Sequence, residues 1–335
     1  MIEPRLGYCC INTELWSQGI SANRTMIKRT FQAKGLPYVS EKVLHNVRSL
    51  VEIIKWNHAH GVHVYRMSSD MFPWMSEYEI KDLPDYQKIK TILQGCGNLL
   101  RKYNMRTSFH PGPFNVLGSP NPTLVVKTQK ELNQHAEIMD MMGLEQSNYY
   151  PINIHCNGVY GDKVATMQRW SDNYKQLSLS AQARLVVEND DKASMYSVQD
   201  LYDGIHQHCG VPITFDYHHH RFNTGGLSEE KAFLLAASTW GKVQPLFHYS
   251  SCRKTFEDPD CKAQAHADYL YEKITTYGNF QVDIETETKL KEKALLQYHR
   301  DYDKLLESYL PFEMLTEDKV VDNVVNRLMK DNIDA

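Results

Sequence analysis

The sequence lacks several features that would place it in a familiar class. None of its apolar runs approaches the roughly 20 residues that a membrane span needs. The N-terminal Met-Ile-Glu-Pro-Arg lacks the basic-then-apolar pattern of a signal peptide. The 7 cysteines are scattered without a CxxC pair, so neither a disulfide framework nor a zinc ribbon is indicated. These absences predict an intracellular protein, cytoplasmic or nuclear, that is neither secreted nor inserted in a membrane.

Common catalytic motifs are missing as well. The chain contains no GxSxG, no GxGxxG after its first predicted strand and no P-loop. A net charge of −4 argues against a wholly basic nucleic-acid binder, although bound cations could supply positive charge locally. Cys156 and Cys252 follow predicted strands and could act as nucleophiles, but buried small hydrophobes are the simpler interpretation.

Histidine, in contrast, is abundant, with 15 residues in 335. Three of them are consecutive in Asp216-Tyr-His-His-His220, which follows the short apolar run Pro212-Ile-Thr-Phe215. The apolar run predicts a buried strand, with carboxylate and imidazole groups where the chain leaves the core. Such groups suit divalent ions such as Mn²⁺, Zn²⁺ or Fe²⁺. Taken alone, the stretch could also be a solvated polyhistidine turn.

The same succession of strand and polar residue recurs along the chain. Eight strand-like segments end in Asn12, Asp70, His110, His155, Glu188, Asp216 with His219, His248 and Glu287. Helices are predicted near 40–60, with Ser40 as N-cap, and near 86–103, 127–142, 162–180, 198–209, 228–239 and 262–277. Such alternation indicates an α/β protein with a single closed (β/α)8 TIM barrel, whose active site lies at the carboxyl ends of the strands. A doubly wound sheet would gather its polar residues at one switch point instead.

The strand-end residues also predict the chemistry. Their carboxylates and imidazoles outnumber the ligands of one four-coordinate ion, which favours a cluster of two or three divalent ions. Paired divalent ions are typical of phosphodiester hydrolysis. The alternative is that these side chains only form hydrogen bonds within loops. We expect residues 1–296 to form the barrel and residues 297–335 a charged, helical C-terminal extension.

The assembled residues resemble the UV damage endonuclease (UvdE) family of repair nucleases. The shared motifs, in order, are Arg5-Leu-Gly-Tyr8, Asn23-Arg-Thr25, Tyr65-Arg-Met-Ser-Ser-Asp70, His110-Pro-Gly112, Gly118-Ser-Pro120, Glu188-Asn-Asp190, Asp216-x-x-His-His220, His248-Tyr-Ser-Ser251, Ala265-His-Ala267 and Glu287-Thr-Lys-x-Lys-Glu292. The resemblance implies a TIM barrel related to endonuclease IV and the xylose isomerase-like barrels. It also implies a divalent-metal cluster, with Mn²⁺ ahead of Zn²⁺, Mg²⁺ or Co²⁺. The implied reaction is incision of damaged double-stranded DNA immediately 5′ of UV photoproducts, which leaves a 3′-hydroxyl and a 5′-phosphate.

The family pattern implies specific metal ligands. They are His110, His155, Glu188, Asp216, His219, His248, His266 and Glu287. Among them, Glu188, Glu287 and His248 are the predicted catalytic residues. Strict strand alternation would pair Asp216 with His218, whereas the family pattern pairs it with His219, so the backbone must turn there.

Three positions depart from the family pattern. Glu77 stands about where many members have a histidine, and we predict it as a substitute ligand. Leu246 replaces a lysine that some members carry before the seventh strand's histidine, and Pro113 replaces a glutamine next to the aromatic wedge, here Phe114. The implied DNA-contacting residues are Tyr8, Asn12, Pro113 and Phe114. Phe114 could instead pack on the barrel rim.

Other functions remain open at this point. An endonuclease IV-type apurinic/apyrimidinic endonuclease would share the metal cluster, and a metal-dependent sugar isomerase or epimerase would share the barrel. A catalytically dead DNA-binding scaffold is the third alternative, but it would keep buried carboxylates and imidazoles at a cost. The expected partner is damaged double-stranded DNA, bound by a monomer.

Overall fold

The computed structural model describes residues 3–302, and these form one parallel eight-stranded sheet surrounded by helices. The strands are β1 Arg5–Cys9, β2 Val64–Met67, β3 Arg106–Phe109, β4 Ile152–His155, β5 Leu185–Glu188, β6 Ile213–Thr214, β7 Leu246–Tyr249 and β8 Asp283–Thr286. Their order in the sheet is β6-β5-β4-β3-β2-β1-β8-β7. The strands are shorter than predicted because the polar residues that follow them turn away into loops.

The sheet closes on itself between β6 and β7. Asp216 and His248 form a parallel bridge, and His248 N–H donates to Phe215 O at 2.9 Å. The ends of the sheet are thereby joined, and the predicted (β/α)8 TIM barrel is confirmed. The carboxyl ends of all the strands therefore open on one face.

Helices cover the outside of the barrel. They are α1 Thr13–Ser17, α2 Lys28–Ala59, α3 Tyr86–Lys102, α4 Pro122–Met141, α5 Lys163–Tyr174, α6 Leu179–Arg184, α7 Val198–Leu201, α8 Gln207–Cys209, α9 Tyr217–His220, α10 Glu229–Ser238, α11 Arg253–Phe256 and α12 Lys291–Tyr302, with a π-turn at Tyr202–His206 between α7 and α8. Short 3₁₀ turns at Ser69–Met71, Met75–Glu77 and Ile80–Asp82 connect β2 to α3. Among residues 3–302, no helix has the length and apolar character required to cross a membrane.

The predicted start of the first long helix is wrong. The helix begins at Lys28 and is kinked at Gly35, whose φ of 60° and ψ of −160° are not helical. Pro37 then restarts it, because a proline in a first helical turn loses no hydrogen bond. Ser40 is buried inside this second half, where its hydroxyl donates to Asp85 Oδ2 at 2.9 Å instead of capping.

The helix predicted at 262–277 is also wrong, because no helix lies between Phe256 and Asp283. This segment pairs with the chain that leaves β7. Arg253 N–H donates to Ala265 O at 2.8 Å, and Ala267 N–H donates to Ser251 O at 2.9 Å. These tertiary bonds override the helical propensity of the segment and carry His266 to the barrel mouth.

The last described helix packs on the barrel. Glu292 of α12 accepts from Thr13 N at 2.8 Å and Glu14 N at 2.9 Å, and Tyr298 Oη accepts from Ile274 N at 3.0 Å. The predicted domain boundary after residue 296 falls within this helix. The remainder of the predicted extension, 303–335, lies outside the described residues.

A buried ion network closes the amino-terminal end of the barrel. Asp283 accepts from Arg5 Nε at 2.8 Å, from Arg106 Nη1 at 3.0 Å and from Gln244 Nε2 at 2.7 Å. Asp283 and Arg106 are fully buried. Burial lowers the pKa of Arg106, and Asp283 opposes that shift. The network therefore ties β1, β3, β7 and β8 together below the active face.

Asp283→Asn should destabilise the protein by about 3 kcal/mol, because it leaves the buried Arg106 guanidinium without its counter-charge. Urea unfolding would measure this as a lower midpoint with an unchanged slope. Glu41→Gln is the control, because Glu41 forms an exposed pair with Lys42 and its loss should change stability by less than about 0.5 kcal/mol. Equal stability of Asp283→Asn and the parent would show that the network contributes nothing.

Candidate metal centre and active site

Glu188, at the end of β5, lies at the centre of a polar cluster in the barrel mouth and is fully buried. Its Oε2 pairs with His110 Nε2 at 2.9 Å, accepts from Asn153 Nδ2 and lies 3.2 Å from His248 Nδ1. Its Oε1 lies 3.2 Å from His219 Nδ1. Side chains that follow or belong to β3, β4, β6 and β7 therefore converge on one carboxylate, as the strand-end pattern predicts.

The chain turns sharply between Asp216 and His219, as the family pattern requires. Asp216 is the N-cap of α9, where its Oδ1 accepts from His219 N at 2.8 Å. The Asn189 amide holds this turn, because it accepts from Asp216 N at 2.9 Å and donates to Asp216 O at 3.0 Å. The turn directs His218 elsewhere, with its Nε2 3.1 Å from Gln264 O.

Neighbouring oxygen atoms fix the orientation of two further imidazoles. His219 Nδ1 donates to Asn189 O at 2.9 Å, and His266 Nδ1 lies 2.7 Å from Ser250 Oγ. A histidine that uses Nδ1 in this way keeps a lone pair on Nε2 for a metal ion. His266 stands near the cluster, with Nδ1 4.0 Å from Glu287 Oε2.

Arg66, in the middle of β2, joins the cluster from inside the barrel. Its Nε donates to Glu285 Oε2 at 2.8 Å, its Nη1 donates to Glu287 Oε1 at 2.6 Å, and its Nη2 lies 2.7 Å from His248 Nε2. His248 Nε2 also lies 3.5 Å from Glu285 Oε2. Arg66 can only donate, so a hydrogen bond with it requires a deprotonated Nε2, whereas Glu285 can only accept and requires a protonated Nε2. When His248 is protonated, Nε2 therefore donates to Glu285.

The guanidinium keeps the neighbouring carboxyl groups ionised. Burial opposes ionisation of Glu285, but Arg66, His248 and Ser108 stabilise its carboxylate and lower its pKa to about 2. Burial also opposes ionisation of Glu287, yet Arg66 and His248 hold its pKa well below the usual value. Glu285 and Glu287 are therefore both ionised around neutral pH.

The buried carboxylates in turn raise the pKa values of three histidines. Burial opposes protonation of His248, but Glu188 raises its pKa to about 9. Burial likewise opposes protonation of His155, and Glu188 and Asp190 raise its pKa. Asp216 and Glu188 raise the pKa of His219 well above its usual value against the effect of burial. These rings bind protons where no cation competes for their lone pairs.

The arrangement fits divalent cations. Three sets of side chains place ligand atoms within 4.8 Å of one another: His110 with His155 and Glu188, His110 with His248 and Glu287, and Glu188 with Asp216 and His248. In the third set, Glu188 Oε1, Asp216 Oδ2 and His248 Nδ1 are buried and form no hydrogen bond within residues 3–302. Such buried polar atoms are costly unless a bound group satisfies them. The sets share members, as expected for a cluster.

Two residues of the predicted polar set lie in other surroundings. Glu77 accepts from Lys127 Nζ at 2.7 Å, its side chain is 38% exposed, and it belongs to none of the three ligand sets found within residues 3–302. This ion pair holds its pKa below the usual value. Asp70 follows β2 and is exposed. The structure therefore gives Glu77 a lysine partner on α4 and does not support its role as a ligand.

Tyr8 and Asn12 point into the structure and not toward the solvent. Tyr8 is fully buried, and its hydroxyl donates to Asn57 Oδ1 at 2.6 Å and accepts from Asn12 Nδ2 at 2.9 Å. Asn12 caps α1, with its Oδ1 accepting from Leu15 N at 2.9 Å. Helix capping and packing occupy both side chains, so their placement does not support the expected DNA contacts.

Phe114, in contrast, projects from the β3–α4 loop and is 89% exposed. The loop beneath it is fixed, because Asn115 Nδ2 donates to Glu131 Oε1 at 2.9 Å and to Gly112 O at 3.1 Å. Asn157, after β4, donates to Asn115 O at 3.0 Å. The alternative that Phe114 packs on the rim is therefore wrong, and the ring stands on a rigid support next to exposed Pro113.

Comparison with known proteins decides the family. The profile of the family described as UV-endonuclease UvdE matches residues 4–313. The chain belongs to the UvdE family. The resemblance found in its motifs is thus confirmed, and with it an endonuclease family for the barrel described above.

Individual UvdE relatives agree over most of the chain. The UV-damage endonuclease of Schizosaccharomyces pombe is 34% identical over 310 residues, which cover 89% of this chain and 51% of that protein. The chain therefore spans about half the length of this relative. A UV DNA damage endonuclease of Bacillus cereus is 31% identical over 307 residues, covering 88% of this chain and 92% of the relative. The crystal structure of SacUVDE superposes with a TM-score of 0.76 at 29% identity, covering 90% of this chain and all of that one.

Arg66 and Glu285 belong to the site although the pattern of polar residues at strand ends does not predict them. Arg66 lies between Tyr65 and Met67 on β2, and Glu285 lies between Ile284 and Thr286 on β8, so neither stands at a strand end. The available indication was that a charged residue inside a buried strand must be paired. Leu246 pairs directly with Asp283 of β8 and is buried with the core.

Metal binding should release protons, because His248, with a pKa of about 9, and His219, with a pKa raised well above its usual value, hold protons at neutral pH that a metal ligand must lose. Metal affinity should therefore rise as the pH rises toward about 9. Titration calorimetry of chelator-treated protein with Mn²⁺, in two buffers of different ionisation enthalpy, measures the release. Binding heats that are independent of the buffer would contradict it.

Proposed function

We propose that this UvdE-family chain is a metal-dependent DNA repair endonuclease. It cleaves the phosphodiester backbone immediately 5′ of UV photoproducts, both cyclobutane dimers and 6-4 photoproducts, and leaves a 3′-hydroxyl and a 5′-phosphate. The observation that carries the proposal is the convergence of His110, Glu188 and His248 from separate strands on one buried site. The names of the S. pombe and B. cereus relatives support UV-damaged DNA as the substrate. The protein acts as an intracellular monomer on double-stranded DNA.

The cofactor of this proposal is a cluster of two or three divalent ions, with Mn²⁺ as the best candidate. The residues that would hold it are His110, His155, Glu188, Asp216, His219, His248, His266 and Glu287. When bound, such ions supply a water of lowered pKa and stabilise charge on the attacking and leaving oxygens. We assign the catalytic role to Glu188, Glu287 and His248, because His248 Nδ1 lies 3.2 Å from Glu188 Oε2 and 3.6 Å from Glu287 Oε1.

The surrounding residues prepare these groups for the reaction. Asp190 Oδ1 lies 3.2 Å from His155 Nδ1, which directs the other ring nitrogen, Nε2, to within 3.6 Å of Glu188. Arg66 fixes Glu287 through the 2.6 Å contact and supplies one positive charge that no chelator can remove. Both are positioning residues, since they act through the ligands they contact.

Phe114 accounts for selection of damaged DNA. Photoproducts stack poorly, so the duplex is easier to bend and unpair where they occur. An exposed ring on a fixed loop can enter such a site at little entropic cost, and Asn115 provides the fixation. Pro113 has no side-chain hydrogen-bonding group, so discrimination relies on the apolar ring next to it.

The deciding experiment is a nicking assay on duplexes that carry a cyclobutane dimer, an abasic site or no damage, each with Mn²⁺ and with chelator. We expect a Mn²⁺-dependent nick directly 5′ of the dimer. His155→Ala and Glu287→Gln should each reduce it by more than roughly 100-fold, because each removes a proposed ligand.

His208→Ala is the matched control, since His208 is exposed on α8, which precedes β6, at the far end of the barrel. It should cut at the parental rate. Cutting at the abasic site alone would replace the proposal with an endonuclease IV-type activity. Near-parental cutting by Glu287→Gln would remove that residue from the ligand set.

Phe114→Ala should lower the preference for dimer-containing over undamaged duplex by roughly tenfold, because one base–aromatic contact is lost. Its Mn²⁺ affinity should equal that of the parent. Competition binding with both duplexes measures the preference. Leu179→Ala provides the comparison, as Leu179 is 82% exposed but precedes β5 at the opposite end of the barrel. An unchanged preference in Phe114→Ala would end the wedge assignment.

A further inference from the structure

A second surface on the active face has the properties of a nucleotide-binding site. A cavity of ≈ 410 Å³ lies beyond the carboxyl end of β1 and is lined by Trp16, Gly19, Ser21, Asn23 and Arg24. Pockets for small organic groups measure about 300–1,000 Å³, so this one matches a single nucleotide better than a length of duplex. None of its lining residues belongs to the ligand sets of the metal centre.

The cavity opens on the same end of the barrel as the metal centre. Asn12 joins β1 directly to α1, which carries Trp16. Strand β1 pairs with β8, in a register that places Tyr8 opposite Thr286, the residue before Glu287. The cavity therefore lies at the strand adjacent to the one that is followed by the proposed metal ligand Glu287.

Trp16 provides a stacking surface at this position. Its side chain is 62% exposed although it lines a cavity. A nucleobase can stack on an exposed indole without regard to sequence.

Arg24 provides a fixed positive charge beside the indole. The amide of the fully buried Asn46 accepts from Arg24 N at 2.9 Å and donates to Arg24 O at 2.9 Å. The guanidinium donates to Gly19 O at 3.0 Å, across the cavity, and has no carboxylate partner within residues 3–302. An interior side chain thus holds the backbone of an exposed, unneutralised arginine, which suits a phosphate.

The charge of the surrounding chain points the same way. Residues 15–40 contain no Asp or Glu but include Arg24, Lys28, Arg29 and Lys34, in a protein whose net charge is −4. Arg24, Lys28 and Arg29 are exposed and follow the rim from β1 toward β2. There Met26 O accepts from Trp74 Nε1 at 2.8 Å, which anchors the segment. A basic strip on an acidic protein favours a polyanion that follows the rim.

We infer that the Trp16–Arg24 cavity binds one nucleotide of the DNA strand that flanks the incision site, with its base on the indole and its phosphate on the guanidinium. This inference rests on the proposed function. The segment containing Asn23-Arg-Thr25 thereby has a role separate from catalysis and lesion probing. This segment anchors the DNA at a distance from the lesion.

The test measures the affinity of the Mn²⁺-loaded, full-length protein for a labelled duplex with one cyclobutane dimer. A denaturing gel of the recovered duplex checks that it stays uncut during the measurement. Trp16→Ala should weaken binding by roughly tenfold. Arg24→Gln should lower the slope of log affinity against log salt by about 0.9, the contribution of one phosphate contact. Lys242→Gln, an exposed charge before β7 at the opposite end of the barrel, should change neither.

Shortening the duplex from each end locates the contact. Parental protein should lose affinity when one particular flank is removed, and Trp16→Ala should then show no further loss. Additive losses would overturn the inference, as would parental affinity and salt slope in both cavity variants. A loss of equal size in Lys242→Gln would overturn it too, because it would indicate a general effect of charge. Equal thermal midpoints of all variants would show that folding is intact.

The parental incision assay separates the two ideas. If parental protein nicks the dimer duplex and the cavity variants bind as it does, only the cavity inference fails. If parental protein neither binds nor nicks any duplex, the proposed function fails and the inference falls with it.

Discussion

The site depends on the neutralisation of buried negative charge. Glu188, Asp216 and Glu285 are fully buried at the carboxyl-terminal end of the barrel, and Glu287 lies beside them. Buried carboxylates repel one another and are costly without compensation. The chain provides one permanent positive charge, on Arg66, and several imidazoles that are protonated or metal-bound according to conditions. In the proposed enzyme, bound divalent cations would supply positive charge in place of the protons on these imidazoles.

Much of the fold and part of the site could be read from the sequence. His110, His155, Glu188 and His248 each follow an apolar strand, and parallel strands bring their ends to one face. Arg66 and Glu285 lie inside strands, so the pattern of polar residues at strand ends does not include them. Residues 262–277 have a composition that favours a helix, which led to a wrong prediction. Their backbone hydrogen bonds to the chain after β7 join residues distant in sequence, so the local sequence does not reveal them. The family pattern predicts DNA contacts for Tyr8 and Asn12, but the packing around them shows that both side chains are buried.

The proposed metal ligands and the exposed aromatic rings lie in different parts of the barrel. The proposed ligands stand at the ends of short strands and are oriented by main-chain oxygen atoms and buried amides, as with His219 and Asn189. Phe114 and Trp16 lie in connections and expose most of their surface, but each rests on a tightly bonded support. In the proposed enzyme, the barrel would fix the reacting groups, while these two rings would supply the apolar surface that contacts DNA.

Two proposed metal ligands also close the barrel, at the junction between β6 and β7. Strand β6 has two residues, and between β6 and β7 the bridge is formed by Asp216 and His248, both proposed ligands. A divalent ion held by this pair would cross-link the ends of β6 and β7. Loading of the cofactor would then complete the tertiary structure as well as the reaction centre, and its free energy of binding would add to that of folding. In the proposed enzyme, the stability of the fold would then rise with the supply of the metal.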